Sequence, residues 1–460
     1  MYIQQLYTNC LAEAAYYIES EGEAAIVDPI RESEPYLALA RQRGATIKYI
    51  FETHFHADFV SGHIDLSKKT GAEIVFGALA ETNYPIHRAA DGEILPLGKV
   101  KIKTLHTPGH TPESACFLLL DENGKEHALF TGDTLFVGDV GRPDLLDGKI
   151  SREELASMLY DSLNDKIKTL PDPVIVYPAH GPGSACGKNI GKETFSTIGE
   201  QKKFNYALKA ASREQFIKEV TTGILPPPNY FFEDARINKS GYHPIDDVMA
   251  KNDHPFTAAE MEQAVSEGAL ILDTRKSDDF EKGFIEGSIN IGLNGQFAIW
   301  VGTLISMNQP LVLVTDLGKE QESILRLARV GFENVRGYLE GGIASWNKKL
   351  DMVESISSRD IKNKMTDRTV MIDVRKPGEW ADGHVKDALF LPLSEMPENF
   401  LKLDRATPYL VHCGGGYRSM TAISMMKKNG FLNLINIAGG FGAMRDCNLE
   451  IVREETAVEA

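Results

Sequence analysis

The sequence predicts a three-domain α/β protein: one larger layered domain at the N-terminus, then two copies of a smaller α/β unit. Three observations carry this. The chain has 460 residues, room for about three domains of roughly 150 residues each. Short apolar strand-like runs alternate with helical stretches through the first half, as in layered α/β domains. The second half repeats itself with a period of about 100 residues, long enough for two domains and too long for a solenoid.

The elements follow in order. Tyr16–Ile18 and Ala25–Val27 read as strands, the second stopped by Asp28–Pro29. Glu34–Arg43 reads as a helix ended by Gly44. Ile47–Phe51 is an apolar strand that runs straight into THFHADFVSGH. Further strands are expected at Ile74–Phe76, Val100–Leu105, Ala115–Leu120, Ala128–Phe130 and Val174–Tyr177. A helical stretch from Glu193 to Val220 precedes LPPPNY (Leu225–Tyr230), which reads as a linker. The repeat aligns ILDTRKSDDFEKGFIEGSINIGL from Ile271 with MIDVRKPGEWADGHVKDALFLPL from Met371, so Asp273–Arg275 matches Asp373–Arg375 and Gly283 matches Gly383. Later, VGFENVRGYLEGGIASW matches NGFLNLINIAGGFGAM. The expected domains are 1–245, 246–352 and 353–460.

Composition narrows the function. The formal charge of −16 comes from 49 Lys+Arg against 65 Asp+Glu with no basic run, which argues against a nucleic-acid partner. No apolar stretch reaches the roughly 18–20 residues of a membrane helix, and the start MYIQQLYTNC carries no secretory pattern. Cys10, Cys116, Cys186, Cys413 and Cys447 are odd in number and widely spaced. That fits a reducing cytoplasmic setting better than a disulfide framework.

THFHADFVSGH places His54, His56 and Asp58 at alternating positions after a strand, so all three can face one side. His110 in TPGHTPES, Asp133 in FTGDTLF and His180 in YPAHGPG each follow a predicted strand within a Gly-rich turn. Glycine permits the backbone angles that bring a loop close to a metal. His and Asp are suitable donors for zinc or non-haem iron. Four such segments, each with its donor at a strand end, make scattered surface histidines a poor explanation.

These motifs resemble the metallo-β-lactamase superfamily over roughly residues 1–205, most closely its glyoxalase II-like and persulfide dioxygenase branches. The resemblance implies an αβ/βα sandwich with metal at one edge of its sheets. Two-metal hydrolases of that superfamily carry H-x-H-x-D-H, and here the last position is Phe59. A second metal would keep only Asp58, His180 and a bridging Asp133. Resemblance to the dioxygenases implies a single Fe(II) per chain, held by His54, His110 and Asp133, with three positions left open. His56, Asp58 and His180 then orient ligands and the reacting oxygen, unless they hold a second metal. Arg142 and Asp144 in GDVGRPDL resemble the dioxygenases' Arg-x-Asp. Arg142 either binds a carboxylate of a thiol substrate or pairs with Asp144. Cys186 in GSACGK reads as a buried structural thiol, with a second redox thiol as the other possibility.

LVHCGGGYRSM follows an apolar strand and precedes a helix beginning near Ser419. Cys413 thus sits in a turn of Gly414, Gly415 and Gly416 closed by Arg418. Backbone N–H groups of such a turn form an anion nest, and the helix start and Arg418 add positive potential that favours a thiolate or a persulfide anion. With IDVR (Ile372–Arg375), GHVKDALFLPL and the later GGF, this loop resembles a rhodanese domain, whose cysteine carries sulfane sulfur. The first copy reads LVTDLGKEQES at the matching loop, with Thr315–Asp316 where Cys413 would fall. It resembles a rhodanese fold without its nucleophile, expected to act as a spacer or docking unit.

Three functions remain open on these residues. The first is a persulfide dioxygenase fused to a sulfurtransferase, converting a small thiol persulfide (of glutathione, coenzyme A or a similar thiol) and O2 to thiol and sulfite. Cys413 then delivers sulfur or moves it to sulfite, and tethering raises the local concentration of the shared intermediate. The second is a binuclear zinc thioester hydrolase with accessory rhodanese units, working through a metal-bound hydroxide. The third is a sulfur carrier or redox sensor with a vestigial metal site. A homo-oligomer is expected by analogy with such families.

Overall fold

The computed structural model describes residues 1–146 and 149–453. The chain falls into two compact units, Met1–Val248 with Ala328–Gly331, and Met249–Leu327 with Phe332–Ala460.

The first unit is a two-sheet sandwich. One sheet runs Tyr2–Thr8, Glu13–Ser20, Glu23–Val27, Thr46–Phe51, Glu73–Gly77, His87–Ala89 in sequence order. Its first three strands pair antiparallel and the rest parallel. The other sheet orders Ser196–Thr197, Ile175–Pro178, Glu126–Gly132, Ala115–Leu120, Val100–His106 and Ile94–Leu97. Tyr16, Val27, Phe51, Val75, Phe117 and Phe130 pack together in the apolar core formed by residues of both sheets. Helix Arg152–Ser162 packs on the outside of the second sheet through Ala156 and Leu159. Its start is fixed by a capping box in which Ser151 and Glu154 satisfy each other's backbone N–H groups.

The expected strands are present, with four more at Tyr2–Thr8, His87–Ala89, Ile94–Leu97 and Ser196–Thr197. The continuous helical stretch expected over 193–220 is instead three helices, Ile198–Phe204, Tyr206–Lys209 and Arg213–Thr221. Asn205 and Ser212 interrupt it because each turns to an extended backbone and caps the helix that follows with its side chain. After the Pro-rich segment the chain re-enters helix at Tyr230–Ser240, which belongs to the same unit as the sandwich.

The second unit contains both repeats. Each has a five-stranded all-parallel sheet of the same order. The first runs Pro255–Phe256, Val335–Leu339, Leu311–Val314, Leu270–Asp273, Ile289–Asn290; the second runs Glu354–Ser357, Leu434–Ala438, Tyr409–His412, Val370–Asp373, Leu389–Phe390. The matched Asp-x-Arg pairs have one structural job. Arg275 and Arg375 each fork onto their buried aspartate, Nη2 to Oδ2 at 2.6 Å, and donate to the carbonyls of Gly283 and Gly383 at 2.9 and 2.8 Å. Among the described residues no helix is long and apolar enough to cross a membrane.

Candidate functional site

Four strands of the sandwich end at one edge, and each hands over a donor. Thr46–Phe51 leads to His54, Val100–His106 to His110, Glu126–Gly132 to Asp133, and Ile175–Pro178 to His180. Close approach of these loops needs glycine at two places. A Cβ on Gly109 would collide with Leu159, and one on Gly132, at φ 50°, would collide with Thr53.

The histidine rings are oriented by their outer nitrogens. His110 Nδ1 lies 2.8 Å from the Arg142 carbonyl, His180 Nδ1 3.2 Å from the Ala12 carbonyl, and His54 Nδ1 2.9 Å from Thr53 Oγ1. Since Thr53 gives its proton to Asp28 Oδ2 at 2.9 Å, all three rings carry hydrogen on Nδ1 and leave an Nε2 lone pair. Those Nε2 atoms converge on Asp133 at 3.8 Å from His54, 3.4 Å from His110 and 3.6 Å from His180. The Nε2 atoms of His110 and His180 and both oxygens of Asp133 are buried without a hydrogen-bond partner. Buried polar atoms normally find partners, so these converging orphans fit a metal ion. His54, His110 and Asp133 form one group with ligand atoms within 4.8 Å of one another; His56, Asp58 and His180 form a second; Asp133, His180 and Cys186 form a third.

At His54 electrostatics agree with this use. Burial, then the neighbouring His56, His110 and His180, hold His54 well below its ordinary pKa, in the neutral form that ligates. For His180 burial pushes the other way, but Asp58 and Asp133 outweigh it and its pKa is raised. Burial raises the Asp58 carboxyl, and burial with Asp58 and Asp133 raises the Cys186 thiol well above its ordinary value. Cys186 is therefore buried, as the sequence suggests, and also beside the donor set.

His56 faces two ways. Its Nε2 lies 3.2 Å from Asp28 and 3.5 Å from Glu52, and neither ring nitrogen has a hydrogen-bond partner among the described residues. Phe59 is fully buried and its ring lies against His56, centroids 4.4 Å apart. A hydrocarbon ring thus occupies the last position of the H-x-H-x-D-H pattern.

Of the two roles open to Arg142, the structure records the pairing. Its guanidinium forks onto Asp144 at 2.6 and 2.7 Å and donates to the carbonyls of Ala185 at 3.2 Å and Leu225 at 2.5 Å. With these donors engaged and the side chain buried, it ties together the His110, Cys186 and Pro-rich segments. Asp28 is a residue whose importance the sequence hides. It holds a left-handed backbone at φ 50° and accepts from Thr53 N at 2.7 Å, which fixes the loop that carries His54. Asn238 is another. Its Nδ2 donates to the carbonyls of His56 and Phe59, both at 2.8 Å, and its Oδ1 accepts from Ser61 N at 2.9 Å.

In the second unit Cys413 sits at the C-terminal end of the central strand Tyr409–His412, with Sγ accepting from Gly416 N at 3.1 Å. Gly416, at φ 109°, caps helix Tyr417–Lys428. Ser419 Oγ lies 3.7 Å from the sulfur and 2.8 Å from Asn436 Oδ1. Gly414 is half-buried and Gly415 exposed, so the loop opens outward. Arg418 forms a two-point ion pair with Glu379, one arm at 2.8 Å, so its charge stands at the mouth of the loop, partly neutralised. Beside it is a cavity of about 380 Å³ lined by Lys376, Glu379, Tyr417, Arg418 and, from the Cys-less copy, Gln296 and Trp300. Tyr417 donates to the Gly292 carbonyl at 2.8 Å. The Cys-less copy thus builds part of the wall around the Cys413 loop.

The comparisons with known proteins follow this division. Residues 8–180 match the model of the metallo-β-lactamase superfamily, and residues 257–349 and 357–447 match the rhodanese-like domain. The mitochondrial persulfide dioxygenase of Homo sapiens is 33% identical over 208 residues, 45% of this chain and 74% of that protein. A probable hydroxyacylglutathione hydrolase of Schizosaccharomyces pombe is 34% identical over 165 residues, 35% of this chain and 60% of that protein. The crystal structure of a metallo-β-lactamase from Staphylococcus aureus superposes with a TM-score of 0.66 at 33% identity, over 74% of this chain and 98% of that one. The chain belongs to the metallo-β-lactamase superfamily, in the persulfide dioxygenase-like branch, with two rhodanese-like domains following the metal domain.

Proposed function

We propose that the chain is a persulfide dioxygenase fused to a sulfurtransferase, with domains at 1–245, 246–352 and 353–460. The observation that carries the reading is the converging set His54, His110 and Asp133, with His110 Nε2 and both Asp133 oxygens left without a hydrogen-bond partner, beside a buried Phe59. Two histidines and one carboxylate with open positions are the donor set of non-haem iron oxygenases. A ferrous ion held there supplies open positions and electrons for O2 and the persulfide sulfur. The net reaction balances as R–S–SH + O2 + H2O → R–SH + SO3²⁻ + 2 H⁺.

The chain's own residues position and enclose this chemistry. Asp28, Thr53 and the carbonyls of Ala12 and Arg142 set the tautomers of the three histidines. Asp58 and His180 face the donors, with Asp58 Oδ2 3.5 Å from His180 Nε2, and are placed to hold and return protons. In the third domain Cys413 takes the sulfane sulfur of the thiol persulfide, R–S–SH + Cys413–SH → R–SH + Cys413–S–SH, with the Gly416 N–H cradling its sulfur. Sulfite attack on that sulfur gives thiosulfate: Cys413–S–SH + SO3²⁻ → Cys413–SH + S2O3²⁻. Lys376 and Arg418 at the loop mouth attract the anion.

A second reading has an observation of its own. His56, Asp58 and His180 form a second group of possible ligands, and hydroxyacylglutathione hydrolases are among the similar proteins. On that reading the domain is a binuclear thioester hydrolase. Elemental analysis of protein purified without chelators or added metal separates the two. About one iron per chain supports the dioxygenase; about two zinc ions per chain would mean Phe59 does not disable the second site.

A further inference from the structure

The cavity beside the Cys413 loop is larger than sulfite needs. Its volume is about 380 Å³, within the roughly 300–1,000 Å³ of sites that enclose small organic molecules. Sulfite has only four heavy atoms, and a water takes up about 30 Å³ of liquid. The space is several times what such an anion fills.

Its position connects it to the nucleophile. Arg418 and Glu379 line it and reach back to the cysteine loop. A Cβ on Gly414, the residue after Cys413, would lie 3.0 Å from Arg418 Nη2 and 3.5 Å from Glu379 Oε1. Cys413 is buried and Gly414 half-buried, so the charged end of the cavity stands where the loop opens.

The remaining wall comes from the Cys-less copy. Gln296 caps the start of helix Phe297–Leu304, and Trp300 lies one turn on. Both copies belong to one compact unit, and they fit closely here. Tyr417 donates to the Gly292 carbonyl, and its ring covers Gly295, where a Cβ would lie 2.5 Å from it. Further along the same helix Ser424 Oγ accepts from Asn290 N at 3.0 Å, and Lys427 pairs with Asp351 at 2.9 Å. The wall is held at several points, which fixes the shape of the cavity.

The lining defines the occupant. Arg418 and Glu379 pair with each other, which leaves the positive charge of Lys376 in surplus and calls for one anionic group. Trp300 and Tyr417 offer ring surface to flat or apolar groups. Gln296 carries an amide with two donors and two acceptor lone pairs, enough to serve a ligand as well as the protein. An inorganic anion uses only the first of these features. A thiol with a carboxylate and a peptide-like amide uses all three.

We propose that Trp300 and Gln296 of the Cys-less copy are specificity-determining residues for sulfur transfer. They hold the body of an amide- and carboxylate-bearing thiol persulfide while Cys413 takes its outer sulfur. The inference rests on the sulfurtransferase reading and names its donor class. In the step, Cys413 Sγ bonds to the outer sulfur of R–S–SH, the S–S bond breaks, and R–S⁻ departs with the cysteine's proton. R–SH then leaves the cavity, and sulfite enters past Lys376 in its place. The copy without a nucleophile thereby takes part in choosing the substrate.

The test compares two donors on the iron-loaded full chain under anaerobic conditions, where no O2 is consumed. Glutathione persulfide has carboxylates and amides; 2-mercaptoethanol persulfide has neither. Thiosulfate formed from added sulfite is followed, and the rate with Cys413→Ser is subtracted as the uncatalysed background. The expected result is a kcat/KM about tenfold higher for glutathione persulfide, arising in KM. Trp300→Ala and Gln296→Ala should each shrink that ratio several-fold. Partial unfolding of a variant slows both donors alike and cancels in the ratio. Equal kcat/KM for the two donors in the parent protein would overturn the proposal, and so would a parent ratio kept by either variant. Failure of the underlying reading shows separately, as no thiosulfate above the background with either donor.

Discussion

Replacing Asn238 by alanine removes three hydrogen bonds from the loop that carries His54, His56 and Asp58. The amide is 1% exposed and bonds His56 O, Phe59 O and Ser61 N at 2.8, 2.8 and 2.9 Å. Each bond contributes about 1 kcal/mol net, and each buried backbone group left alone costs about 1–3 kcal/mol. Water entering the small void recovers part of that. The expected loss is about 3 kcal/mol, or roughly 6–12 °C in the unfolding midpoint of a domain of this size. The more telling effect is on the metal. Loss of an outer support of a ligand loop lowers metal affinity by about 10–100-fold, so Asn238→Ala should release iron to a chelator correspondingly faster. Asn238→Asp keeps the acceptor for Ser61 N and loses both donors, so it should fall between alanine and the parent protein. Parent-like midpoint and metal release in Asn238→Ala would refute the view that this helix holds the metal loop.

Other outcomes follow from the same geometry. Asp133→Asn and His110→Ala should each abolish iron retention and O2 uptake while sulfur transfer at Cys413 persists, as elemental analysis and a thiosulfate assay would show. Cys413→Ser should do the reverse, ending sulfur transfer and leaving O2 uptake in place. Phe59→His offers a nitrogen beside His56, and the metal content should rise from about one toward two ions per chain. Lys376 is pushed below its ordinary pKa of about 10.4, first by desolvation and then by Arg418. It loses its charge earlier as pH rises, so the KM for sulfite should climb at a pH below the ordinary lysine range. Lys376→Arg should flatten that climb, and an unchanged profile would remove Lys376 from anion binding.

The candidate donors were legible because His110, Asp133 and His180 each adjoin a glycine near a strand end, and His54 follows an apolar strand in an alternating His-x-His-x-Asp, features that survive in the sequence as short patterns. The repeat was legible for a similar reason. Asp373, Arg375 and Gly383 form one buried hydrogen-bonded unit, and the same unit recurs at Asp273, Arg275 and Gly283. Strand Tyr2–Thr8 was missed because it is half-buried along its whole length and shows no alternation. The break of the helical stretch at Asn205 was hidden in a single side chain that turns back to cap Ala207 N. Asp28 read only as a strand stop, since its grip on Thr53 depends on two strands being neighbours in space. Asn238 gave no signal at all, and only the fold brings residue 238 to residues 56–61. Of the two roles the motif offered Arg142, the pairing with Asp144 is seen in the structure, beside two carbonyls.

Oxygen uptake tests the central claim most directly. Iron-loaded protein would be given a freshly prepared thiol persulfide in an oxygen-electrode cell, with sulfite measured at the end. The account predicts one O2 consumed and one sulfite formed per persulfide, with the activity lost in His54→Ala. No O2 consumption with iron bound, together with hydrolysis of an acylglutathione thioester, would contradict it and make the metal domain a hydrolase.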